Sequence, residues 1–191
     1  TDLSEKVVES GADFGISVDP DVDRLAFMDE KGVLFGEEYT LVACADYVLS
    51  QKKGNTVSNL SSTRALRDIT EKYGAVYTAS AVGEVNVVAA MKATKAVIGG
   101  EGNGGIILPE SHYGRDALVG IALFLSLLAE KQLSVSALKK TYPLYYMSKK
   151  KIELSQGLDV EGIFANMEKI YQNELLSTID GLKIDFSDSW V

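Results

Sequence analysis

The sequence predicts an α/β fold with a mixed, mainly parallel sheet flanked by helices. Short apolar segments of strand length alternate with longer segments whose apolar residues recur at three- and four-residue steps, the period of a helix. This alternation is typical of a mainly parallel sheet. The chain has 191 residues, 46% of them hydrophobic, which is enough for one substantial core and allows a second domain.

The first predicted elements are strands. The apolar run Phe14–Val18 is typical of a strand, and an acidic loop follows it. Residues 24–28 and 33–35 are expected to form a hairpin, because Asp29-Glu-Lys-Gly32 between them places glycine at a tight turn.

A repeating unit of strand and helix comes next. Apolar Leu41, Cys44, Ala45 and Val48 lie at helical spacing and predict a helix over Glu37–Gln51. The later elements are expected to be a strand at 56–59, a helix at 63–73, a strand at 76–79, a helix at 84–92, a strand at 96–98, a helix at 116–131 and a short helix at 134–140.

The character of the sequence changes after Pro143. Residues 149–154 are expected to form a charged edge strand, and residues 160–171 an amphipathic helix. Residues 182–186 would begin a hairpin whose second strand holds only residues 190–191. We therefore expect the last segment to be the start of a further domain and the chain to be a fragment of a longer protein.

Composition argues against several classes of partner. A net charge of -8 and a pI near 4.7 argue against a nucleic-acid or anionic membrane surface. The most apolar helix candidate, Ala117–Leu128, is too short for the roughly 20 residues of a membrane span. Nothing resembles a signal peptide, so a cytoplasmic protein is expected.

Cys44 is the only cysteine, which excludes an internal disulfide and predicts a buried small side chain.

The acidic loop Asp19-Pro-Asp-Val-Asp-Arg24 carries three carboxylates at two-residue intervals. Alternate residues that leave a strand point the same way, so Asp19, Asp21 and Asp23 can converge if the loop curls. Three such charges repel unless a cation lies among them. A hard divalent cation takes oxygen ligands, and Mg²⁺ keeps positions open for a phosphate. Two other interpretations stay open, a simple Asp-rich turn and an EF-hand loop, although Arg24 occupies the position where an EF-hand needs glycine.

A second motif, Gly99-Gly-Glu-Gly-Asn-Gly-Gly105, follows the predicted strand 96–98. Glycine permits close backbone approach and positive φ, so we expect an exposed tight loop that presents Glu101 and Asn103 to a polar ligand. The same letters match G-x-G-x-x-G, but residues 106–109 predict a strand and a turn where a dinucleotide fingerprint needs a helix. A glycine-rich hairpin without a ligand is the other alternative.

Together the two motifs resemble those of the α-D-phosphohexomutases, the family of phosphoglucomutase, phosphomannomutase and phosphoglucosamine mutase. The family's metal loop, Asp-Gly-Asp-x-Asp-Arg, is similar to Asp19–Arg24, with Pro20 in place of Gly. Its sugar loop, Gly-Glu-x-Ser-Gly-His, is similar to Gly100–Gly105, with Asn103 in place of Ser and Gly105 in place of His. Two further segments similar to family motifs are residues 82–87 and 114–116.

The resemblance implies a domain assignment. Residues 1–34 would be the C-terminal part of domain 2, residues 35–150 domain 3, and residues 151–191 the incomplete start of domain 4. Domain 1, which carries the family's phosphoserine, and the phosphate loop of domain 4 would be missing, since the sequence holds no Thr-Ala-Ser-His-Asn-Pro segment. The fragment is therefore expected to fold without having mutase activity of its own.

The implied activity of the parent enzyme is interconversion of hexose 1-phosphate and hexose 6-phosphate, glucose and/or mannose, through a phosphoserine and a bisphosphorylated sugar. Glucose 1,6-bisphosphate would be the type of activator. Asp19, Asp21 and Asp23 would hold Mg²⁺, and Arg24 would be a catalytic residue that helps to neutralise phosphate. The implied substrate-binding residues are Glu101, Asn103, Gly100, Gly83 and Arg115.

Several roles stay open at this level. Arg115 could simply pair with neighbouring acids, Arg64 has no assigned role, and His112 is expected to be surface filler. The alternative to an enzyme is a metal-stabilised binding module, in which protein ligands would close the metal site rather than leave positions open. The preferred sugar and the oligomeric state are not predicted.

Overall fold

A β-hairpin with a preceding helix opens the chain in the computed structural model, which describes residues 2–191. Helix α1, Asp2–Ser10, leads into strand β1, Phe14–Val18, which pairs in antiparallel register with β2, Leu25–Asp29. Val18 lies opposite Leu25, so residues 19–24 form the tip of the hairpin. The sequence patterns did not predict α1. The second predicted strand at 33–35 is reduced to a single bridge between Met28 and Leu34.

The central sheet has four strands in the order β4-β3-β5-β6. Strand β3 pairs in parallel with both β4 and β5, and β6 pairs with β5 in antiparallel register. The prediction of a mixed, mainly parallel sheet is therefore confirmed. The strands are β3, Thr56–Asn59; β4, Tyr77–Ser80; β5, Ile98–Glu101; and β6, Gly105–Ile107.

Helices cover both faces of this sheet. One core cluster joins the sheet to α2, α3 and α5 and includes Leu41, Leu66 and Phe124. A smaller cluster on α4, with Val87 and Met91, packs on Val57 and Ile107. The helices are α2, Glu37–Gln51; α3, Ala65–Lys72; α4, Glu84–Thr94; α5, Ala117–Lys131; and α6, Val135–Lys139.

Helix α5 connects the sheet to the N-terminal hairpin. Asp116 caps the helix, because its carboxylate accepts the N–H of Val119 at 3.0 Å. Further along the helix, Phe124 stacks on Phe27 of β2 with ring centroids 3.8 Å apart. The hairpin that carries the acidic loop is thereby packed against the helix that follows the glycine-rich segment.

Strand β5 differs from its prediction in a way that matters for the site. The sequence predicted a strand at 96–98 and a loop from Gly99, whereas the strand runs over Ile98–Glu101. Gly99 and Gly100 pair with β3 on one side and with β6 on the other. Backbone hydrogen bonds from two neighbours extend the strand through glycines that have no strand preference of their own.

The chain divides into two compact units, Thr1–Tyr145 and Tyr146–Val191. The first unit contains the hairpin, the central sheet and α1 to α6. The second contains α7, Val160–Ile170, and the antiparallel strands β7, Leu175–Ser177, and β8, Lys183–Asp185. The assignment of residues 1–34 to part of domain 2, of residues 35–150 to domain 3 and of residues 151–191 to the start of domain 4 stays a prediction.

The predicted edge strand at 149–154 is wrong. Within the described residues this segment has no β-pairing, and all of its side chains are exposed. The charged character typical of an edge strand was the signal here, and a strand also needs a partner for its backbone groups. The described chain also contains no helix long and apolar enough to cross a membrane.

Candidate functional site

The acidic loop curls back on itself at the tip of the β1–β2 hairpin. The Asp19 carboxylate accepts the backbone N–H groups of Asp23, at 3.1 Å, and of Arg24, at 3.0 Å. The N–H of Val22, whose φ is 58°, donates to the Asp19 carbonyl at 3.1 Å. One carboxylate oxygen from each of Asp19, Asp21 and Asp23 lies within 4.8 Å of the others. The structure therefore brings together the three carboxylates that the spacing predicted.

Desolvation, the crowding of carboxylates and the hydrogen bonds of the loop shift the pKa values of Asp19 and Asp23. Desolvation and the neighbouring Asp19 raise the pKa of Asp23. Partial desolvation also acts on Asp19, but hydrogen bonds from the Arg24 and Asp23 backbone outweigh it and lower the pKa of Asp19. Asp23 Oδ1 is buried and accepts no hydrogen bond. A buried carboxylate oxygen without a hydrogen-bond donor, on a residue grouped with two more carboxylates, has the ligand chemistry that a hard divalent cation takes.

Arg24 lies beside the cluster and stays accessible. Its Nε is 3.6 Å from Asp19 Oδ2 and 3.5 Å from Asp23 Oδ1, and 51% of its side chain is exposed. Long, exposed ion pairs of this kind hold a side chain only weakly. A cavity of about 280 Å³ opens here, and its lining includes Asp19, Arg24, Glu37 and Asn103. Residues from the acidic loop and from the glycine-rich segment therefore share one cavity.

Glu101 ends strand β5 and is buried, at 5% exposure. One carboxylate oxygen accepts the Asn59 amide at 2.8 Å and the other accepts Arg115 Nη1 at 2.8 Å. The expectation that Glu101 sits in an exposed loop is wrong, because Glu101 is the last residue of strand β5, where it pairs with Gly105 of β6 and is buried. The carboxylate lies at the carboxyl end of a parallel strand, where α/β sheets bind ligands.

Arg115 joins the two motifs. Its guanidinium pairs with Asp23 through Nη2, with Glu101 through Nη1, and with Glu84, where Nε lies 3.3 Å from Oε2. Only 15% of this side chain is exposed. The possibility that Arg115 pairs with neighbouring acids is the one that the structure shows. Two of those acids are themselves predicted site residues.

The other predicted substrate-binding residues have mixed surroundings. Asn103 lines the cavity, and its Oδ1 accepts the N–H of Gly105 at 3.2 Å, which leaves its NH₂ group as the donor. Gly83 is the N-cap of α4 with φ 110°, a conformation that favours glycine. Gly100 lies within the sheet, where a Cβ would collide with the carbonyl oxygen of Gly105. Close strand packing therefore explains Gly100 without a ligand.

Arg64 and His112 had no functional role assigned from the sequence. Arg64 is buried at the start of α3. His112 Nε2 is 2.9 Å from Asp116 Oδ2. Although desolvation opposes it, this contact and the hydrogen bond from Val119 lower the pKa of Asp116. The position of His112 beside a helix cap agrees with a structural role.

Sequence reasoning missed several residues that build the site. Asn59 positions Glu101, Ser62 accepts the N–H of Gly102 at 3.1 Å, and Glu84 binds Arg115. Glu37 of α2 lines the cavity. A signal for Asn59 was present, because polar residues that end adjacent parallel strands lie at one edge of a sheet. Asn59 and Glu101 end β3 and β5.

The chain is similar to proteins of one family over nearly its whole length. The family model for phosphoglucomutase/phosphomannomutase, alpha/beta/alpha domain III, matches residues 27–145. A phosphoglucomutase/phosphomannomutase from Thermococcus kodakarensis is 34% identical over 190 residues, which cover 98% of this chain and 41% of that protein. A phosphoglucosamine/phosphogalactosamine mutase from Sulfurisphaera tokodaii is 32% identical over 194 residues, which cover 99% of this chain and 43% of that protein.

Solved structures show the same fold. A phosphoglucomutase/phosphomannomutase family protein from Burkholderia thailandensis superposes with a TM-score of 0.79 at 24% identity. The match covers 100% of this chain and 41% of that protein. The chain therefore spans about two fifths of the length of the relatives that it matches.

Proposed function

The chain belongs to the phosphoglucomutase/phosphomannomutase family, and from that membership we propose that it is part of an enzyme that interconverts hexose 1-phosphate and hexose 6-phosphate. The proposed route passes through an enzyme phosphoserine and a bisphosphorylated sugar, with a glucose 1,6-bisphosphate type of activator. Both the serine and the loop that grips the distal phosphate would lie in parts of the parent protein outside this chain.

The observation that carries the proposal is the meeting of the acidic loop and the glycine-rich segment. The N–H of Leu25, directly after the acidic loop, donates to the Gly104 carbonyl at 3.2 Å. Arg115 spans from Asp23 to Glu101, and the cavity is lined by Asp19, Arg24 and Asn103. A phosphorylated sugar needs charge neutralisation at one point and hydroxyl recognition a few ångströms away, and both kinds of group are present here.

The cation of the proposed enzyme is Mg²⁺, held by Asp19, Asp21 and Asp23. The buried, undonated Asp23 Oδ1 and the two neighbouring carboxylates suit it. When bound, Mg²⁺ supplies positive charge to a phosphoryl group. Each of the three carboxylates contributes negative charge, and the hairpin tip fixes their spacing.

The remaining residues bind and orient the sugar phosphate. Arg24 is proposed as the catalytic residue that offsets phosphate charge, because its guanidinium is accessible beside the acidic cluster. Asn103 would donate its NH₂ group to a sugar oxygen. Glu101 would accept sugar hydroxyls with lone pairs that Asn59 and Arg115 leave free, since a carboxylate accepts about four hydrogen bonds.

The proposed substrate is a hexose phosphate. The names of the two relatives divide between hexose and hexosamine phosphates. We propose glucose and/or mannose phosphate as the substrate, with glucosamine phosphate as the alternative. The chemistry of the acidic loop does not depend on this choice, because it acts on the phosphoryl group.

The test is turnover of the full-length parent enzyme on glucose, mannose and glucosamine 1-phosphates with Mg²⁺ and the matching bisphosphate. We expect at least one of the three to be converted to its 6-phosphate. No turnover of any of them by folded enzyme would overturn the proposed activity.

A metal-site variant tests the cation separately. Calorimetry with Mg²⁺ on Asp21→Asn should show an affinity lowered by at least roughly 10- to 100-fold. A loss of that size already follows when a residue that only hydrogen-bonds to a metal ligand is removed. Asp13→Asn, an exposed charge-matched change away from the loop, should bind Mg²⁺ like wild type. Equal binding by Asp21→Asn and wild type would remove Asp21 from the metal site.

A further inference from the structure

We propose that Arg115 is a positioning residue that couples the occupancy of the metal loop to the placement of Glu84 and Glu101. The part of this inference that concerns sugar binding rests on the proposed function. The part that concerns the metal stands on the geometry of the acidic cluster alone.

Arg115 meets three carboxylates from three separate segments of the chain. Asp23 comes from the hairpin tip, Glu84 from the start of α4, and Glu101 from the end of β5. A guanidinium is a planar fork of five donors, so it can serve several carboxylates at once, which an ammonium does less well. One positive charge among three negative charges leaves this group of four side chains with a net charge of -2.

The backbone around Arg115 is fixed from several directions. The Arg115 N–H donates to Glu84 Oε1 at 3.2 Å. The next two residues also donate: Asp116 to the Ile106 carbonyl at 2.9 Å, and Ala117 to the Val22 carbonyl at 3.1 Å. Because Val22 belongs to the acidic loop, the base of the Arg115 side chain is tied to that loop as well as to β6. The guanidinium is therefore the part of Arg115 that can move among its carboxylate partners.

The bonding of the guanidinium is incomplete. Arg115 Nε and Asp23 Oδ1 are both buried without a hydrogen-bond partner. Nε already lies 3.3 Å from Glu84 Oε2, so a small shift towards Glu84 would complete a hydrogen bond. Without a cation at the acidic loop, Asp23 draws the guanidinium towards itself. A cation on Asp23 would cancel that attraction and release Arg115 towards Glu84 and Glu101.

The coupling is reciprocal. Arg115 partly neutralises Asp23 and so opposes cation binding, and a cation on Asp23 opposes the pair with Arg115. The position of the Arg115 guanidinium beside Glu101, the carboxylate proposed for sugar recognition, would thereby depend on whether the metal loop holds a cation. A purely structural arginine predicts a different result, because its loss would loosen the acidic loop and weaken cation binding.

The experiment measures Mg²⁺ binding by calorimetry in the full-length enzyme, without sugar. In Arg115→Gln we expect Mg²⁺ affinity to rise by about fivefold or more, a typical size for coupling between sites. Glu84→Gln should lower it, because Arg115 would then give more of its charge to Asp23. Arg67→Gln removes an arginine that pairs with Asp68 on α3, away from the acidic loop, and should leave Mg²⁺ affinity unchanged.

Two outcomes would overturn the proposal. One is unchanged or weaker Mg²⁺ binding by folded Arg115→Gln. The other, which serves if Arg115→Gln does not fold, is tighter or unchanged binding by Glu84→Gln. If the wild-type enzyme shows measurable turnover, the Arg115→Gln enzyme should also have a higher KM for sugar phosphate. Absence of turnover in wild type would count against the proposed function and leave the metal result to decide the coupling.

Discussion

Glu101 is held by one donor on each carboxylate oxygen, Asn59 on one side and Arg115 on the other. Neutralising it would therefore do more than weaken a ligand contact. An amide at this position turns an NH₂ group towards one of these two donors, and a buried donor facing a donor loses its hydrogen bond. The guanidinium of Arg115 would also lose one of its three carboxylates.

We predict that Glu101→Gln destabilises the 191-residue chain by about 1 to 3 kcal/mol, the cost of leaving a buried polar group unpaired. The measurement is the free energy of unfolding in urea. Glu71→Gln, on an exposed position of α3, serves as the control. Wild-type stability in Glu101→Gln, combined with loss of sugar-phosphate turnover in the full-length enzyme, would support the exposed-loop interpretation that the structure contradicts.

Elements of the first unit are joined by another carboxylate, partly buried and away from the site. Glu30, in the turn after β2, accepts hydrogen bonds from Ser134 and from both the hydroxyl and the backbone N–H of Ser136, around the first residues of α6. Burial by itself would raise the pKa of Glu30, but the bonds from Ser136 and Ser134 prevail and lower it to about 2. The hairpin and α6 are thereby connected through an ionised side chain.

This connection gives stability a defined pH dependence. Because the folded-state pKa of Glu30 lies below its ordinary value of 4.5, the stabilisation is fully present above about pH 4.5 and is lost as the pH falls towards 2. We expect Glu30→Gln to be less stable than wild type near neutral pH, with a difference that shrinks in that acidic window. Unfolding in urea across the pH range measures it. A difference that is constant with pH would contradict the assignment.

How well the elements could be predicted depends on where their signal lies. Helix α2 has the predicted bounds, Glu37–Gln51, because its apolar residues follow the helical period and its core contacts reinforce them. The prediction placed strand β5 too early in the chain, because Gly99, Gly100 and Glu101 form a strand only through pairing with β3 and β6. That pairing is long-range and leaves no mark in local sequence.

The site shows the same limit at the scale of the molecule. The spacing of Asp19, Asp21 and Asp23 predicted their convergence, because a single hairpin tip holds all three. The particular links of Arg115 to Asp23, Glu84 and Glu101 were not predicted, although pairing of Arg115 with neighbouring acids was an open possibility. They come from four segments that meet only when the sheet and α5 are assembled, so spacing along the chain carries no information about them.

At the same scale, we predict that the 191-residue chain folds but does not catalyse phosphoryl transfer. Its first unit has a core on both faces of a four-stranded sheet, which supports independent folding. The chain spans about two fifths of its relatives' length and holds no Thr-Ala-Ser-His-Asn-Pro segment. If the serine that carries the phosphoryl group lies outside this chain, as proposed, positioning cannot replace the covalent step.

Incubation of the chain with glucose 1-phosphate, glucose 1,6-bisphosphate and Mg²⁺ should give no glucose 6-phosphate above the buffer control. Mass spectrometry should first establish that the preparation is free of host mutase. Sustained turnover from such material would show that the reacting groups lie within this chain.

The single thiol of the chain provides a reporter for these comparisons. Cys44 is fully buried on α2, and its Sγ lies 3.5 Å from the Gly120 carbonyl of α5. Burial raises the pKa of the Cys44 thiol, so both access and thiolate formation are suppressed while the two helices stay together. Alkylation of Cys44 would therefore require separation of α2 from α5. The labelling rate of each variant of the 191-residue chain would measure how often that interface opens.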